Sequence, residues 1–245
     1  MMGVYEGLQG CRVVECSHLL SSSTPLWPGD VEFYRCPLAS YAVSGYTKEF
    51  FIIPEGFGTH MDSPAHFFAG KRTTSDITPQ ELIAKCVLVD VTDHCASNPD
   101  YELQLSDIET WERSYGPIPA GALVCMRTGW GEKINSKALY YNYDTTETHS
   151  CYPGGTMHFP GFSEAVAKFL VTQRSIVGIG IDTLSLDPGT STSFPVHQAI
   201  LGADKYQLEN MRLEELPAQG AVLVISPLRI LQAAESPVRV LGFVA

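Results

Sequence analysis

The chain is poor in basic side chains and contains no long apolar run. Its 245 residues include 16 Lys and Arg against 27 Asp and Glu, which gives a formal net charge of −11. A nucleic-acid partner normally requires a basic patch, and no such patch is present, so we expect no nucleic-acid binding. No run of about 18 apolar residues occurs, which excludes a transmembrane helix, and we expect no membrane partner.

Cysteine is present, but not in the patterns that form disulfide frameworks or zinc knuckles. The seven cysteines are unevenly spaced and include no C-x-x-C pair. An odd, irregular set argues against both kinds of site. The N-terminal stretch MMGVYEGLQGCRVVE also lacks the basic and apolar regions of a secretory signal. We therefore expect a protein of the reducing cytoplasm.

Apolar runs that are typical of buried strands recur along the chain, with candidate helix starts between some of them. The predicted strands are Cys86–Val91, Ala122–Met126, Ile176–Ile181, Ala221–Ile225 and Val238–Val244. Thr78 with Glu81 and Ser106 with Glu109 match the capping-box pattern, and Ser163 precedes the amphipathic run EAVAKFL. This alternation indicates an α/β or α+β protein, and with no obvious linker we expect one domain over residues 1–245.

Two segments rich in turn residues, Tyr141–Pro160 and Asp187–Pro195, are predicted to be loops that could form the rim of a pocket. The first contains three further polar candidates, His149, Cys151 and His158. These side chains could approach a site, although solvated loop positions are the simpler interpretation.

The segment GTHMDSPAHF carries the strongest chemical signal. His60 and Asp62 are two residues apart, so in an extended strand both side chains leave the same face, and His66 follows shortly after. Imidazole nitrogen and carboxylate oxygen are ligands for zinc and similar divalent ions. By themselves these residues are ambiguous, and a polar loop is the simpler interpretation. Further along, His197 and Glu209 are also residue types that ligate metals, but their spacing alone is a weak signal.

Several motifs in one order resemble the metal-dependent cyclase-like hydrolases, a family that includes kynurenine formamidases and isatin hydrolases. GTHMDSPAHF is similar to the family signature GTHxDxPxH, and an upstream WPGD matches its N-terminal loop. FPGFSEAVAKFL followed by VGIGIDTLSLDP, and the C-terminal PLRILQAAESPVRV, match two later blocks. The resemblance implies the α/β swivelling β/β/α fold of this family, with a barrel-like or layered sheet, and a homodimer or homotetramer.

The resemblance also implies roles for individual residues. The implied metal ligands are His60, Asp62, His197 and Glu209. It further implies that His66 is the catalytic general acid/base and that Trp27 lines the substrate pocket.

One position departs from the family pattern. The family has a further metal-binding histidine four residues before His60, where this chain has Gly56. The adjacent Glu55 would point to the opposite face of a strand. We therefore expect one divalent ion rather than two, with zinc the first choice and manganese or iron(II) the alternatives.

The implied function is metal-dependent hydrolysis of a small amide, with an aryl formamide such as N-formyl-L-kynurenine as the first substrate. An isatin-type cyclic amide is the nearest alternative. A non-catalytic small-molecule-binding descendant is the rival of a different class. Asp182 and Asp187 could also lie at the pocket, but a turn-forming pair that binds local backbone is the simpler interpretation.

Overall fold

The computed structural model describes residues 3–144 and 154–245; His149 and Cys151 lie outside the described residues. The strands of the described part are β1 Arg12–Glu15, β2 Tyr34–Ala39, β3 Lys48–Ile52, β4 His60–Asp62, β5 Ile83–Asp90, β6 Glu102–Leu103, β7 Ala122–Arg127, β8 Gly161–Phe162, β9 Gly178–Ile181, β10 Tyr206–Glu209, β11 Ala221–Pro227 and β12 Glu235–Val244.

Its helices are α1 Val4–Gln9, α2 Tyr41–Ser44, α3 Thr92–Ser97, α4 Leu105–Tyr115, α5 Lys137–Tyr141, α6 Glu164–Gln173 and α7 Pro195–Gly202. Short 3₁₀ turns cover Pro64–His66, Thr74–Asp76 and Trp130–Lys133. In the part of the chain that is described, no helix combines the length and the apolar character that crossing a membrane requires.

The main sheet closes on itself like a barrel. Its order is β12-β11-β5-β7-β9-β10-β4, and β4 pairs back onto β12. Strands β5, β7, β9 and β10 run parallel, while β4 is antiparallel to both of its neighbours. Strand β1 extends the sheet beside β12. The α/β class and the barrel-like sheet agree with the fold that the resemblance implies.

The strands at the centre of this sheet contain continuous apolar runs because both of their faces are buried there. In β5, Val87 and Val89 pack into one apolar cluster together with residues of α4, α6 and α7. The alternate residues Cys86 and Leu88 pack into a second cluster with residues of β10, β11 and β12. All five predicted strands are confirmed, since each lies in or overlaps β5, β7, β9, β11 or β12.

The predicted helix starts had different outcomes. The Ser163 cap of α6 is confirmed, because its hydroxyl accepts a hydrogen bond from the N–H of Val166 at 3.3 Å. Helix α4 exists, but Gln104 and Asp107 form its capping box, so the assignment to Ser106 and Glu109 was wrong.

The predicted helix after Thr78 was also wrong. Thr78 Oγ1 does donate to Glu81 Oε2 at 2.7 Å, as in a capping box. However, the turn ends at once because β5 begins at Ile83, where pairing with β11 starts. A local capping signal therefore stabilises a single turn here, and sheet pairing determines the element after it.

Candidate metal centre

Strand register places four polar side chains side by side. The short strand β4 lies between β10 and β12, with His60 opposite Glu209 of β10 and Asp62 opposite Glu235 of β12. Directly opposed residues of antiparallel strands project from the same face. His60, Asp62 and Glu209 are buried, while the Glu235 side chain keeps 22 % of its surface exposed.

A fifth side chain, His197, comes from helix α7. Its Nε2 atom lies 3.5 Å from Asp62 Oδ2 and 3.3 Å from Glu209 Oε1. On the other side of the cluster, His60 Nε2 lies 3.4 Å from Asp62 Oδ1 and 3.3 Å from Glu209 Oε2. The structure therefore brings together the four residues that the resemblance implies as metal ligands, from three separate elements.

Both histidines direct Nε2 toward the cluster because Nδ1, on the other side of each ring, makes a hydrogen bond to a neighbouring oxygen. His60 Nδ1 lies 2.8 Å from the carbonyl oxygen of Gly58, and His197 Nδ1 lies 2.6 Å from Asp187 Oδ2. A hydrogen bond from Nδ1–H to such an acceptor leaves Nε2 free to coordinate, which is the usual arrangement in metal-binding histidines. Asp187 also accepts the backbone N–H groups of Val196 and His197 at the start of α7.

Asp187 therefore lies next to a candidate ligand, which agrees with the pocket position that the sequence left open for it and not with the simpler interpretation of a turn-forming pair. The paired residue Asp182 does bind backbone, but that backbone is not local: its carboxylate accepts from the N–H groups of Thr128 and Gly129 in the loop after β7. Burial raises the pKa of Asp182 to about 6, against the opposing effect of these hydrogen bonds. Nothing in the spacing of the two aspartates distinguishes their roles, because each role depends on a distant partner.

His66 lies beside the cluster rather than inside it. The 3₁₀ turn Pro64–His66 carries its side chain, which is 30 % exposed, and its Nδ1 atom is 3.5 Å from Glu235 Oε2. Ligand atoms of Asp62, His66 and His197 also lie within 4.8 Å of one another. His66 is thus close enough to exchange protons with a molecule bound at the cluster.

The protonation of the cluster reflects its concentration of carboxylates. Burial lowers the pKa of His60, but its hydrogen bond to Glu209 and the charge of Asp62 outweigh burial and raise that pKa to about 10. Burial also lowers the pKa of His197. Its hydrogen bonds to Asp187, Asp62 and Glu209 outweigh burial and raise that pKa well above its ordinary value.

The acids show the complementary effects. Burial raises the pKa of Asp62, but the hydrogen bond with His197 and the charges of the histidines lower it below its ordinary value. Burial, followed by the charge of Asp62, raises the pKa of Glu235 to about 8. Among the described lining residues, protonated histidines bring positive charge to the cluster.

The donor set fits a divalent cation. Asp62 Oδ1 is buried and has no hydrogen-bond partner among residues 3–144 and 154–245. Its second oxygen accepts from Gln207 Nε2 at 2.8 Å, which fixes the carboxylate. Two imidazole nitrogens with several carboxylate oxygens suit zinc, manganese or iron(II). A cation would fill the coordination that Asp62 Oδ1 lacks.

A cavity of about 310 Å³ has the cluster in its wall. Its apolar wall includes Trp27, Phe67, Leu184 and Phe194. The Trp27 and Phe194 rings lie 5.9 Å apart, and Phe67 stacks on His197 with a centroid distance of 4.7 Å. The structure thus places Trp27 in the cavity wall, while Phe67 and Phe194 were missed, although Phe67 directly follows His66 in the sequence motif.

The described wall of the cavity carries no basic side chain other than histidine. Its described lining residues include no Lys or Arg, whereas Asp30 and Glu235 add acidic groups near the cluster. Residues 145–153, outside the described part, contain neither Lys nor Arg.

Comparison with known proteins identifies the family. Residues 14–188 match the family model named Cyclase. The chain belongs to the cyclase family. An isatin hydrolase from Roseibium aggregatum is 31 % identical, over 95 % of this chain and 92 % of that protein.

Two other relatives cover nearly the whole chain. A kynurenine formamidase from Sphingopyxis alaskensis is 28 % identical, over 93 % of this chain and 96 % of its own. Among solved structures, isatin hydrolase A from Ralstonia solanacearum superposes with a TM-score of 0.90 at 28 % identity, covering 100 % of this chain and 98 % of that one. These cyclase-family relatives carry two different names, so the substrate must be argued from the pocket.

Proposed function

We propose that this cyclase-family protein is a metal-dependent hydrolase that opens a small, neutral, aromatic cyclic amide of the isatin class. The observation that carries the proposal is the assembly of His60, Asp62, His197 and Glu209, with nitrogen–oxygen distances of 3.3 to 3.5 Å, at the base of an aromatic cavity.

In the proposed enzyme these four residues hold the divalent ion. When bound, the ion supplies Lewis-acid polarisation of the amide carbonyl and lowers the pKa of water to about 7. Asp187 and the Gly58 carbonyl keep the two imidazoles in the tautomer that binds. His66, next to the cluster and partly exposed, takes a proton from the attacking water and delivers it to the leaving nitrogen.

The cavity supports a neutral aromatic substrate. Trp27 and Phe194 offer ring faces for a planar bicyclic amide, and the volume accommodates one. N-formyl-L-kynurenine carries an α-carboxylate, and apart from histidines the described cavity wall has no Lys or Arg to bind it. The acidic side chain of Asp30, which also lines the cavity, would disfavour it as well.

Aryl formamide hydrolysis, a step of tryptophan catabolism, is the second candidate. The observation in its favour is the kynurenine formamidase relative at 28 % identity, whose length this chain covers almost completely. The chemistry is the same, since both reactions cleave a C–N bond next to an aromatic ring.

We also propose the metal, the assembly and the location of this protein. Zinc is the first metal to test, with one ion per chain, and we propose a homodimer or homotetramer in the cytoplasm.

Steady-state hydrolysis of isatin and of N-formyl-L-kynurenine tests the proposal. The protein is assayed as purified, after chelation, and after return of zinc or manganese. We expect metal-dependent isatin opening that is lost in His197→Ala and kept in the control His94→Ala, an exposed histidine on α3. Hydrolysis of the formamide but not of isatin would contradict the cyclic-amide substrate and support the second candidate, aryl formamide hydrolysis. Turnover of neither, with metal bound, would favour a non-catalytic binding protein.

A further inference from the structure

Gly56 leaves a space that another side chain fills. A Cβ atom at position 56 would lie 2.7 Å from Glu235 Oε1 and 3.3 Å from His60 Nε2. Gly56 is not among the residues with positive φ, so the backbone conformation does not require glycine there. The carboxylate of Glu235 therefore occupies the space into which a side chain at position 56 would project, and it would have to move to admit one.

Glu235 faces the metal cluster because of its strand register. It lies opposite Asp62 in the pairing of β12 with β4, on the side away from Gln207 of β10. Its Oε1 atom is 3.8 Å from His60 Nε2, and its Oε2 atom is 3.5 Å from His66 Nδ1. Ligand atoms of His60, Asp62 and Glu235 all lie within 4.8 Å of one another, which is close enough for one ion to reach all three.

The backbone that carries Glu235 is held in place by the residue next to Gly56. Glu55 Oε2 accepts the N–H groups of Ala234 and Glu235, each at 3.0 Å. Charge-assisted hydrogen bonds of this kind are stronger than neutral ones. Glu55 itself stays outside the cluster, as its position next to Gly56 predicts, and instead anchors the start of β12.

The charges of the cluster support a cation at this point. Asp62, Glu209 and Glu235 bring three carboxylates together, and no Lys or Arg lines the described cavity. Carboxylates gathered away from water are costly unless positive charge balances them, and a divalent ion supplies such charge. Asp62 Oδ1, which is buried and has no hydrogen-bond partner among the described residues, lies on this same side, 3.4 Å from His60 Nε2.

We propose that Glu235 is a direct ligand of the divalent ion, supplying from β12 the donor that position 56 lacks. This inference rests on the metal site of the proposed function. It adds a carboxylate ligand that the family resemblance does not supply. It also means that glycine at position 56 does not leave the ion short of a ligand.

Metal affinity measured on the whole protein tests the inference. Zinc and cobalt(II) binding would be followed by calorimetry for the parent, Glu235→Gln and Glu235→Ala, with cobalt absorption as a report on coordination. Glu235→Gln retains the shape of the side chain, and thermal melting of the metal-free proteins verifies folding. The control is Glu214→Gln, whose side chain is 29 % exposed and lies in a different groove.

We expect both Glu235 variants to bind metal at least about 100-fold more weakly than the parent. Loss of a residue that only supports a ligand typically lowers metal affinity by about 10- to 100-fold. Their cobalt spectrum should change, and that of Glu214→Gln should not. Parent-like affinity and spectrum in folded Glu235 variants would overturn the inference while leaving the proposed function intact. A parent protein that binds no metal would overturn both.

Discussion

The role of His66 in the reaction can be tested separately from metal binding. It lies beside the cluster, 3.5 Å from Glu235, and its ring is partly exposed at the cavity. As a proton carrier it should contribute to rate more than to affinity for the ion. We expect His66→Ala to lower kcat by about 10²- to 10⁴-fold with the metal content unchanged.

The exposed histidine His94 provides the control, since His94→Ala should leave kcat unchanged. Metal content and kcat are measured on the same preparations. Full activity of His66→Ala would remove this residue from the reaction, and simultaneous loss of the ion would make it a ligand instead.

Asp187 is expected to act through His197. Its carboxylate holds Nδ1 of that ring at 2.6 Å and accepts two backbone N–H groups of α7. Removing such a partner typically weakens metal binding by about 10- to 100-fold. Asp187→Ala should show this loss in calorimetric zinc titration, and the exposed Asp93→Ala should not. Equal zinc affinity in both variants would mean that packing alone orients His197.

The family pattern named His60, Asp62, His197 and Glu209, and the structure brings these four side chains together, while their roles as ligands stay predictions. Within GTHMDSPAHF, local spacing together with the family pattern also pointed to His66. Glu235 lies far along the chain, and only the register of β12 against β4 brings it beside Asp62. No local pattern contains that register, although the neighbouring motif SPVR indicated the segment.

At the scale of elements, one ion pair joins two helices that pack under the sheet. Glu112 of α4 accepts two hydrogen bonds from Arg174, which follows α6, at 2.6 and 2.8 Å. It also accepts the N–H of Ile118, just before β7. The hydrogen bond from Arg174 is the main reason that the pKa of Glu112 lies below its ordinary value of 4.5.

The stabilisation from this pair should therefore be present above about pH 4.5 and be lost as the pH falls through the lowered folded-state pKa. We expect Glu112→Gln to reduce the free energy of unfolding by about 1–2 kcal/mol at pH 7, with the difference shrinking below pH 4. Urea unfolding at several pH values measures it, with the exposed Glu109→Gln on the same helix as control. A deficit that is independent of pH would contradict the ionic origin.

The elements themselves were predictable where burial dominates. Strands β5, β7 and β9 were found because apolar side chains on both faces leave a continuous run in the sequence. Helix starts were less reliable. The capping pattern at Thr78 forms its hydrogen bonds, yet the chain turns into β5 because pairing with β11 and β7 outweighs a short helix.

At the scale of the whole molecule, the candidate metal centre lies where the sheet closes. Its residues come from β4, β10, β12 and α7, so a bound ion would tie together the strands that complete the barrel. An ion present at about 100 times its Kd adds about 2.7 kcal/mol to the free energy of unfolding. For a chain of this size, that corresponds to a Tm increase of about 5–10 °C.

Chelation should therefore lower the Tm of the parent protein by this amount, and return of zinc should restore it. Asp62→Asn, which removes a central carboxylate, should show little response to chelator. The parent protein would first be shown to contain the ion. If chelation then left its Tm unchanged, the ion would not be bound by the strands that close the sheet.

The most direct test of the central claim is elemental analysis of the untagged protein, purified without added metal or chelator. We expect close to one divalent ion per chain, zinc or manganese, and its loss in Asp62→Ala and His197→Ala. Absence of metal from the folded parent protein, even after reconstitution, would contradict a metal-dependent hydrolase and favour a small-molecule-binding protein on the cyclase fold.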